Sequence, residues 1–321
     1  MIKPKLPKKL YKYRVFNIHT LRLLTESNIY YAKPNQLNDP LDCKPTLEID
    51  ADSSEIEKLF YKMLKETHDK KVEAMHDEYS KTLKIIKNNL SKTNNGKEFA
   101  LGQIYHHRHY AEEYGKYDDN SHGEEYYNHR LASIIKDVLY EQIGEKGVLS
   151  LCAKWNCPLM WSHYADEHRG ICVEYDMTDH DCKNIKAVKY DQPISIKVSD
   201  IIAWKNHSIQ AEDRILDIFF YSKAPQWHYE EEWRDIKEVG ECSAPFKISA
   251  IYFGLCCDVS IKTTIIKLFA GSEVKFYEVI TTNNNFDLQY QETDTDYYLA
   301  CGLKEPNFIL LRDLPYYEAD S

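Results

Sequence analysis

Trp227-His228-Tyr229-Glu230-Glu231-Glu232-Trp233-Arg234 is the stretch around which the chain is organised. A strand sends alternate side chains to opposite faces, so Glu230, Glu232 and Arg234 are expected on one face. Glu231, Trp233 and Asp235 then take the other. Two carboxylates on one strand face lie about 7 Å apart, a repulsion of roughly 2 kcal/mol at an effective dielectric near 20. That raises the pKa of one glutamate by about one unit or more unless Arg234 or another cation offsets it. Chains seldom set two acids side by side for stability, so Glu230 and Glu232 are the first candidate catalytic residues. A solvated edge strand with its carboxylates in water is the competing reading, and the residues alone leave both open.

On either side of this stretch the pattern is that of alternating strands and helices. Downstream, residues 248–253 read as a strand closed by Gly254, 260–269 as a helix, and 275–280 with 286–290 as a final strand pair. Upstream, 148–153, 170–175 and 187–190 read as strands and 213–222 as an amphipathic helix ending before Pro225. Pro158 suits the first position of a helix running to His168. On it Trp161, Tyr164 and His168 stand at i, i+3 and i+7, one face carrying two rings and a titratable nitrogen. Such a face can grip a planar heterocycle, although Trp161 and Tyr164 also suit a core.

The N-terminal region reads as a strand over 10–16 with Tyr11, Tyr13 and Val15 on one face, a short helix capped by Asn17 or Thr20, and a strand over 28–32. Asn38-Asp39-Pro40 then forces a turn, which leaves Asn38, Asp39 and Asp42 in one loop. Between the N-terminal and central strands, 54 to about 90, 98–114 and 123–143 have helical periodicity, broken by Thr93-Asn94-Asn95-Gly96. The expected fold is therefore α+β: a central mixed or antiparallel sheet with a large helical insert at about 54–145. Residues 1–285 are expected to form one domain, and 286–321 a C-terminal extension packed on it or loosely attached.

Composition narrows the function. With 321 residues and a net charge of -10, broad salt-driven binding to nucleic acid is disfavoured. The lysines of the first fourteen residues have no apolar segment behind them, and no run of about 18 apolar residues occurs. Nine cysteines without framework spacing fit free thiols in a reducing, cytoplasmic setting. No metal site is expected. His106 and His107 diverge on a helix, and the gap between Cys152/Cys157 and His163/His168 is too short for a zinc finger. There is no GxGxxG, no GxxxxGK[ST] and no GxSxG.

Taken in order, Leu10-Tyr11-Lys12-Tyr13-Arg14, Asn38-Asp39-Pro40-Leu41-Asp42, Met160-Trp161-Ser162-His163-Tyr164-Ala165, His168-Arg169-Gly170-Ile171-Cys172, the Trp227–Arg234 stretch and Ile251-Tyr252-Phe253-Gly254 form an ordered set. The set resembles the bacterial domain-of-unknown-function family 2971 over roughly residues 10–280. The layout is also similar to the split sheet of ADP-ribosyltransferases. That resemblance implies NAD as the substrate, in a cytoplasmic toxin or phage-defence setting. It implies that Tyr13 or Arg14 holds NAD and that Tyr31 or Tyr164 stacks on nicotinamide. By the same resemblance Glu232 stabilises the oxocarbenium-like sugar, Glu230 activates the acceptor and Arg234 tunes both. Asn38, Asp39, Asp42, Trp161, His168, Gly170 and Tyr229 complete the candidate ligand-binding set. Leu149-Ser150-Leu151 is the nearest match to that fold's Ser-Thr-Ser stretch. A small nucleotide ligand is expected, with the acceptor (protein or nucleic acid) and the oligomeric state open. Two rivals remain: a metal-dependent phosphodiesterase or nuclease using Asp39, Asp42, Glu230 and Glu232, and a non-catalytic small-ligand sensor.

Overall fold

The computed structural model describes residues 4–82, 96–114, 122–178, 185–192, 194–282 and 287–301. It is an α+β fold in which eight of the described strands form one mixed sheet. The central strand is β1 (Lys9–Arg14), antiparallel to β5 (Ile171–Asp176) over six register pairs. Beyond β5 lie β10 (Lys247–Phe253), β11 (Lys275–Thr281) and β12 (Leu288–Glu292), with β10 and β11 parallel. On the other side of β1 lie β4 (Lys146–Cys152), β8 (Glu232–Glu238) and β6 (Lys186–Ala187). β4 and β8 share seven register pairs, whereas β1 and β4 share only Tyr11 with Cys152. The sheet is therefore two well-paired halves joined at one register position. Small ladders of β2 (Asn28–Tyr31) with β9 (Gly240–Ser243), and β3 (Thr46–Glu48) with β7 (Ser195–Lys197), flank it.

The helices follow from capping and apolar periodicity. In α1 (Ile18–Glu26) the Asn17 side chain accepts from the Thr20 N–H at 2.9 Å, and Ser27 ends the helix in the left-handed region. The insert comprises α2 (Ser53–Thr82), α3 (Gly96–Tyr114) and α4 (His122–Ile143). Its apolar stripe of Ile56, Leu59, Phe60 and Met63 is fully buried against Ile104, Leu131, Ile135 and Leu139. The same cluster includes Ile201 of α6 (Val198–Lys205), Ile215 and Phe219 of α7 (Ile209–Tyr221), and Val148 of β4. The insert is thus continuous with the core under one half-sheet rather than an appendage. A second cluster joins β1, β5 and β10 to α8 (Val259–Leu268), and a third packs Tyr11, Tyr13 and Tyr252 on Trp161 of α5 (Pro158–Tyr164). Among the described residues no helix is long and apolar enough to cross a membrane.

Several expectations need correction. Val15 lies beyond the strand and is exposed. α5 stops at Tyr164, and Asp166, Glu167 and His168 all take positive φ (49°, 51° and 69°). Tertiary bonds impose that turn: the His168 carbonyl accepts from the Cys256 N–H, and the Gly170 carbonyl accepts from the Gly254 N–H. β3, β7 and β9 are not legible in the sequence, because segments of three or four residues carry too little periodicity. Nor is α6, whose N-cap residue Lys197 makes no capping side-chain bond. Thr293 is buried rather than loosely held, and α9 (Thr295–Cys301) follows it against α8. The breaker at 93–95 and the tail from 302 lie outside the described residues.

Gly170 and Gly254 both stand against backbone in this turn. A Cβ at Gly170 would meet the Arg14 carbonyl oxygen at 2.2 Å, an atom fixed in backbone. Gly170→Ala is expected to cost about 2 kcal/mol or more. Gly102→Ala has open space within α3 and is expected to gain up to about 1 kcal/mol. Urea unfolding of the two variants checks the contrast.

Candidate functional site

The WHYEEEWR stretch does not form one strand. Pro225–Glu230 is a 3-10 turn, Glu231 sits in the left-handed region (φ 42°), and β8 begins at Glu232. Pro225 opens the turn, and the Glu231 N–H closes it on the His228 carbonyl at 3.2 Å. The left-handed residue redirects the chain so that Glu230 and Glu232 still converge, on a lysine that sequence reading did not single out. Lys223 Nζ donates to Glu230 Oε2 and, at 3.1 Å, to Glu232 Oε2. It lies 3.6 Å from Asp42 Oδ2.

Arg234 completes the cluster. Its Nε and Nη2 donate to Glu232 at 2.7 and 2.9 Å, and its Nη1 and Nη2 to Asp42 at 2.9 and 2.5 Å. A further Nη1 bond reaches the Phe220 carbonyl at 2.8 Å. These five bonds match the five N–H groups of a guanidinium, which allows Arg234 to be fully buried. The Asp39-Pro40 turn delivers Asp42: the Leu41 N–H donates to Asp39 Oδ1 at 2.9 Å, and Cys43 follows with φ 55°. Left-handed residues thus stand beside the acids on both sides of the cluster, at Cys43 and Glu231.

The two glutamates are pushed apart electrostatically. Burial opposes ionisation of Glu232, but Arg234, Lys223 and a hydrogen bond from Ser150 outweigh it, holding the carboxyl far below its ordinary range. Burial and then the Glu232 charge push Glu230 up, and Lys223 and Tyr164 only partly offset them. Lys223 is raised: burial works against it, and Glu232 and Glu230 prevail. Burial pushes the Cys43 and Cys152 thiols up to about 12, so neither is a ready nucleophile.

Glu230, Glu232, Lys223 and Arg234 line a cavity of about 280 Å³ where β1 and β4 part. Tyr13, Asn38, Asp42, Tyr164, Glu230, Glu232 and Arg234 are in its wall, so seven of the fourteen candidate residues are brought together. A relay runs along it: Asn38 Nδ2 donates to Tyr164 Oη, which donates to Glu230 Oε1, both at 2.7 Å. Tyr13 also packs edge-on against Trp161 and donates to the Lys154 carbonyl at 3.0 Å.

The other seven are elsewhere. Arg14 faces a separate cavity lined by Tyr175 and Phe246. Tyr31 donates to Asp235 Oδ2 at 2.7 Å, on the alternate face of β8. Asp39 accepts from Trp227 Nε1 at 2.7 Å. Trp161 is a core ring whose Nε1 donates to the Trp155 carbonyl. His168 stacks on Trp161 with ring centroids 6.0 Å apart, outside the cavity wall. Gly170 serves backbone packing, and Tyr229 rests against Trp227 and His163.

Among the lining residues, Lys12 and Ser150 stood in motifs without being candidates for the site, and Lys223 was not singled out at all. The signal for Lys223 was a lone cation at the end of the apolar run Ile218-Phe219-Phe220-Tyr221. Asp42 and Glu232 turn their oxygens to cations and Asp39 turns to Trp227, so the four acids do not share an open coordination position. Among the described residues no group of His, Cys, Asp or Glu is arranged to hold a metal ion.

Residues 160–234 match the family described as Protein of unknown function (DUF2971). The matched segment begins in α5 and ends at Arg234, so it contains Tyr164, Lys223, Glu230 and Glu232. No curated protein and no solved structure matches the chain.

Removing one member of a buried ion cluster strands its partners. Glu232→Gln is expected to lose about 3–5 kcal/mol, because Arg234 and Lys223 lose a shared anion. Glu230→Gln, which removes the carboxylate that pays most to ionise, is expected to lose under about 1 kcal/mol. Denaturant titration of both variants tests this order.

The linkage has a sign. With its folded pKa depressed, Glu232 contributes stability that is complete above its ordinary value of 4.5 and is lost as pH falls below it. Glu230, raised, works in the opposite sense. Unfolding free energy measured from pH 6 down to about pH 3 is expected to fall more steeply in wild type than in Glu232→Gln.

Proposed function

We propose that the cavity at the split of the sheet binds a small nucleotide-derived ligand, and that the protein is an NAD-using enzyme of the glycosyl-transfer type. One observation carries this reading: two glutamates on one buried lysine, one held ionised and the other with its pKa raised, in the wall of a cavity. Carboxylates driven apart in this way divide acid-base and electrostatic roles.

The division differs from the one the resemblance implied. Glu232 has its oxygens engaged by Arg234 and Lys223, so it holds the cluster in place and keeps Glu230 high. Glu230 is the group able to exchange a proton at the cavity wall, with Tyr164 orienting it. As nicotinamide leaves, positive charge grows on the ribose. A Glu230 carboxylate facing it stabilises that charge and then takes the proton of the incoming acceptor. A cavity of about 280 Å³ is of a size for the nicotinamide-ribose end, with the remainder of NAD outside it.

A second reading has its own support. Because Asp42 and Glu232 are already saturated by cations, the cavity could hold a ligand without chemistry, as a sensor. Nicotinamide release from NAD, with and without EDTA, separates the two. The enzyme reading expects EDTA-resistant release that falls at least about 100-fold in Glu230→Gln. It also expects the wild-type rate to drop on acidification, as Glu230 takes up a proton above its ordinary value of 4.5. Saturable NAD binding with no release, and unchanged affinity in Glu230→Gln, would move the assignment to the sensor.

A further inference from the structure

Among the described residues, Lys12 is the one cationic side chain of the cavity wall that lies outside the Asp42–Glu230–Glu232 ion cluster. It sits in the middle of β1, where the strand leaves β4, and its Nζ reaches across the gap to the Ser150 carbonyl at 2.7 Å. That is its one hydrogen bond among the described residues, so two of its three donor positions have no protein partner there. The three acids of the cavity are meanwhile engaged by Lys223 and Arg234.

We propose that Lys12 is an amine nucleophile, and that the cavity takes a small carbonyl compound, an aldehyde or ketone, and holds it as an imine on Lys12 Nζ. This goes beyond the NAD reading and does not depend on it. The ingredients of imine chemistry are an amine freed of its proton, a general acid beside it and a site screened from bulk water. The surroundings of Lys12 favour the free amine. Burial pulls it down first and Arg14 next, Glu232 and Glu230 oppose, Lys223 adds to the lowering, and the net position is about 8. Glu230, pushed up and hydrogen-bonded to Tyr164, is a carboxyl able to give and take a proton in the same cavity.

The step balances without an oxidant or reductant. The Lys12 nitrogen lone pair attacks the carbonyl carbon, forming the C–N bond while the C=O π pair moves to oxygen. That oxygen takes a proton from the Glu230 carboxyl, and the nitrogen returns one to the carboxylate. The Glu230 carboxyl, protonated again, gives that proton to the hydroxyl; the C–O bond breaks, water leaves, and the iminium that forms returns a proton to the Glu230 carboxylate as it becomes the imine. Amine and carbonyl become imine and water.

The test uses the full chain with glycolaldehyde or glyoxylate in the presence of cyanoborohydride, which reduces the imine to a stable secondary amine. Peptide mass mapping then follows each lysine with time. The expected result is modification of Lys12 at least about tenfold faster than of exposed lysines, with a midpoint near pH 8. Glu230→Gln should slow it while leaving the exposed lysines unchanged. Modification of Lys12 at or below the exposed-lysine rate in the folded wild type would overturn the proposal, without recourse to any variant. Because the readout is a covalent adduct and not nicotinamide, failure here and failure of the NAD reading are separate results.

Discussion

The buried Arg234 guanidinium is the constraint on which the rest of the site depends. A fully buried cation is tolerable only if every donor finds an acceptor. Arg234 meets that condition by drawing on three separate elements: Asp42 from the loop after β2, Glu232 from its own strand, and the Phe220 carbonyl at the end of α7. Those bonds fix where α7 ends and so where Lys223 stands. They also fix the loop that carries Asn38 to Tyr164. The left-handed residues Cys43 and Glu231 are the local cost of bringing the acids in at the required angles.

The second organising feature is the parting of β1 and β4. A continuous ladder between them would have filled the space with backbone hydrogen bonds. Their pairing at Tyr11 and Cys152 alone leaves a slot, and the wall of that slot is where Lys12, Ser150 and the glutamates gather. The helical insert packs under the β4–β8 half, while α5 and the tyrosines pack on the β1–β5–β10 half. A further cluster spans both halves, with Leu149 and Leu151 of β4 and Trp233 of β8 beside Leu10, Val173 and Ile251, so side-chain packing holds the halves together where the ladder between β1 and β4 is missing.

The chemistry of the site follows from charge placed in a poorly solvated space. Three acids and three cations line one cavity, so no single charge dominates it, and small differences in contact decide each group's state. Glu232 touches two cations and stays ionised; Glu230 touches one cation and faces Glu232, and is pushed up. Lys12, whose one hydrogen bond among the described residues is to a carbonyl oxygen, is pushed down by burial. One glutamate and one lysine are thereby brought toward the range in which proton exchange is useful, and Glu232 and Arg234 are held out of it.

What the sequence by itself determined is what local rules reach. Strand and helix patterning of sufficient length located β1, β5, β10, the three helices of the insert and the α+β class. Turn chemistry located the Asn38-Asp39-Pro40 loop, and the paired glutamates pointed to the candidate site. Arg234 could be assigned to Glu232 because strand alternation puts residues two apart on one face. Tertiary structure alone decided the rest. Arg234 and Asp42 are separated by 192 positions, and Lys12 reaches a carbonyl 138 positions away. Nothing local marks such pairs, because the cost of burying a charge appears only once the surrounding walls are assembled. For the same reason Tyr31, His168 and Gly170, all plausible as ligands from their neighbours in sequence, were taken up by Asp235, Trp161 and the Arg14 backbone.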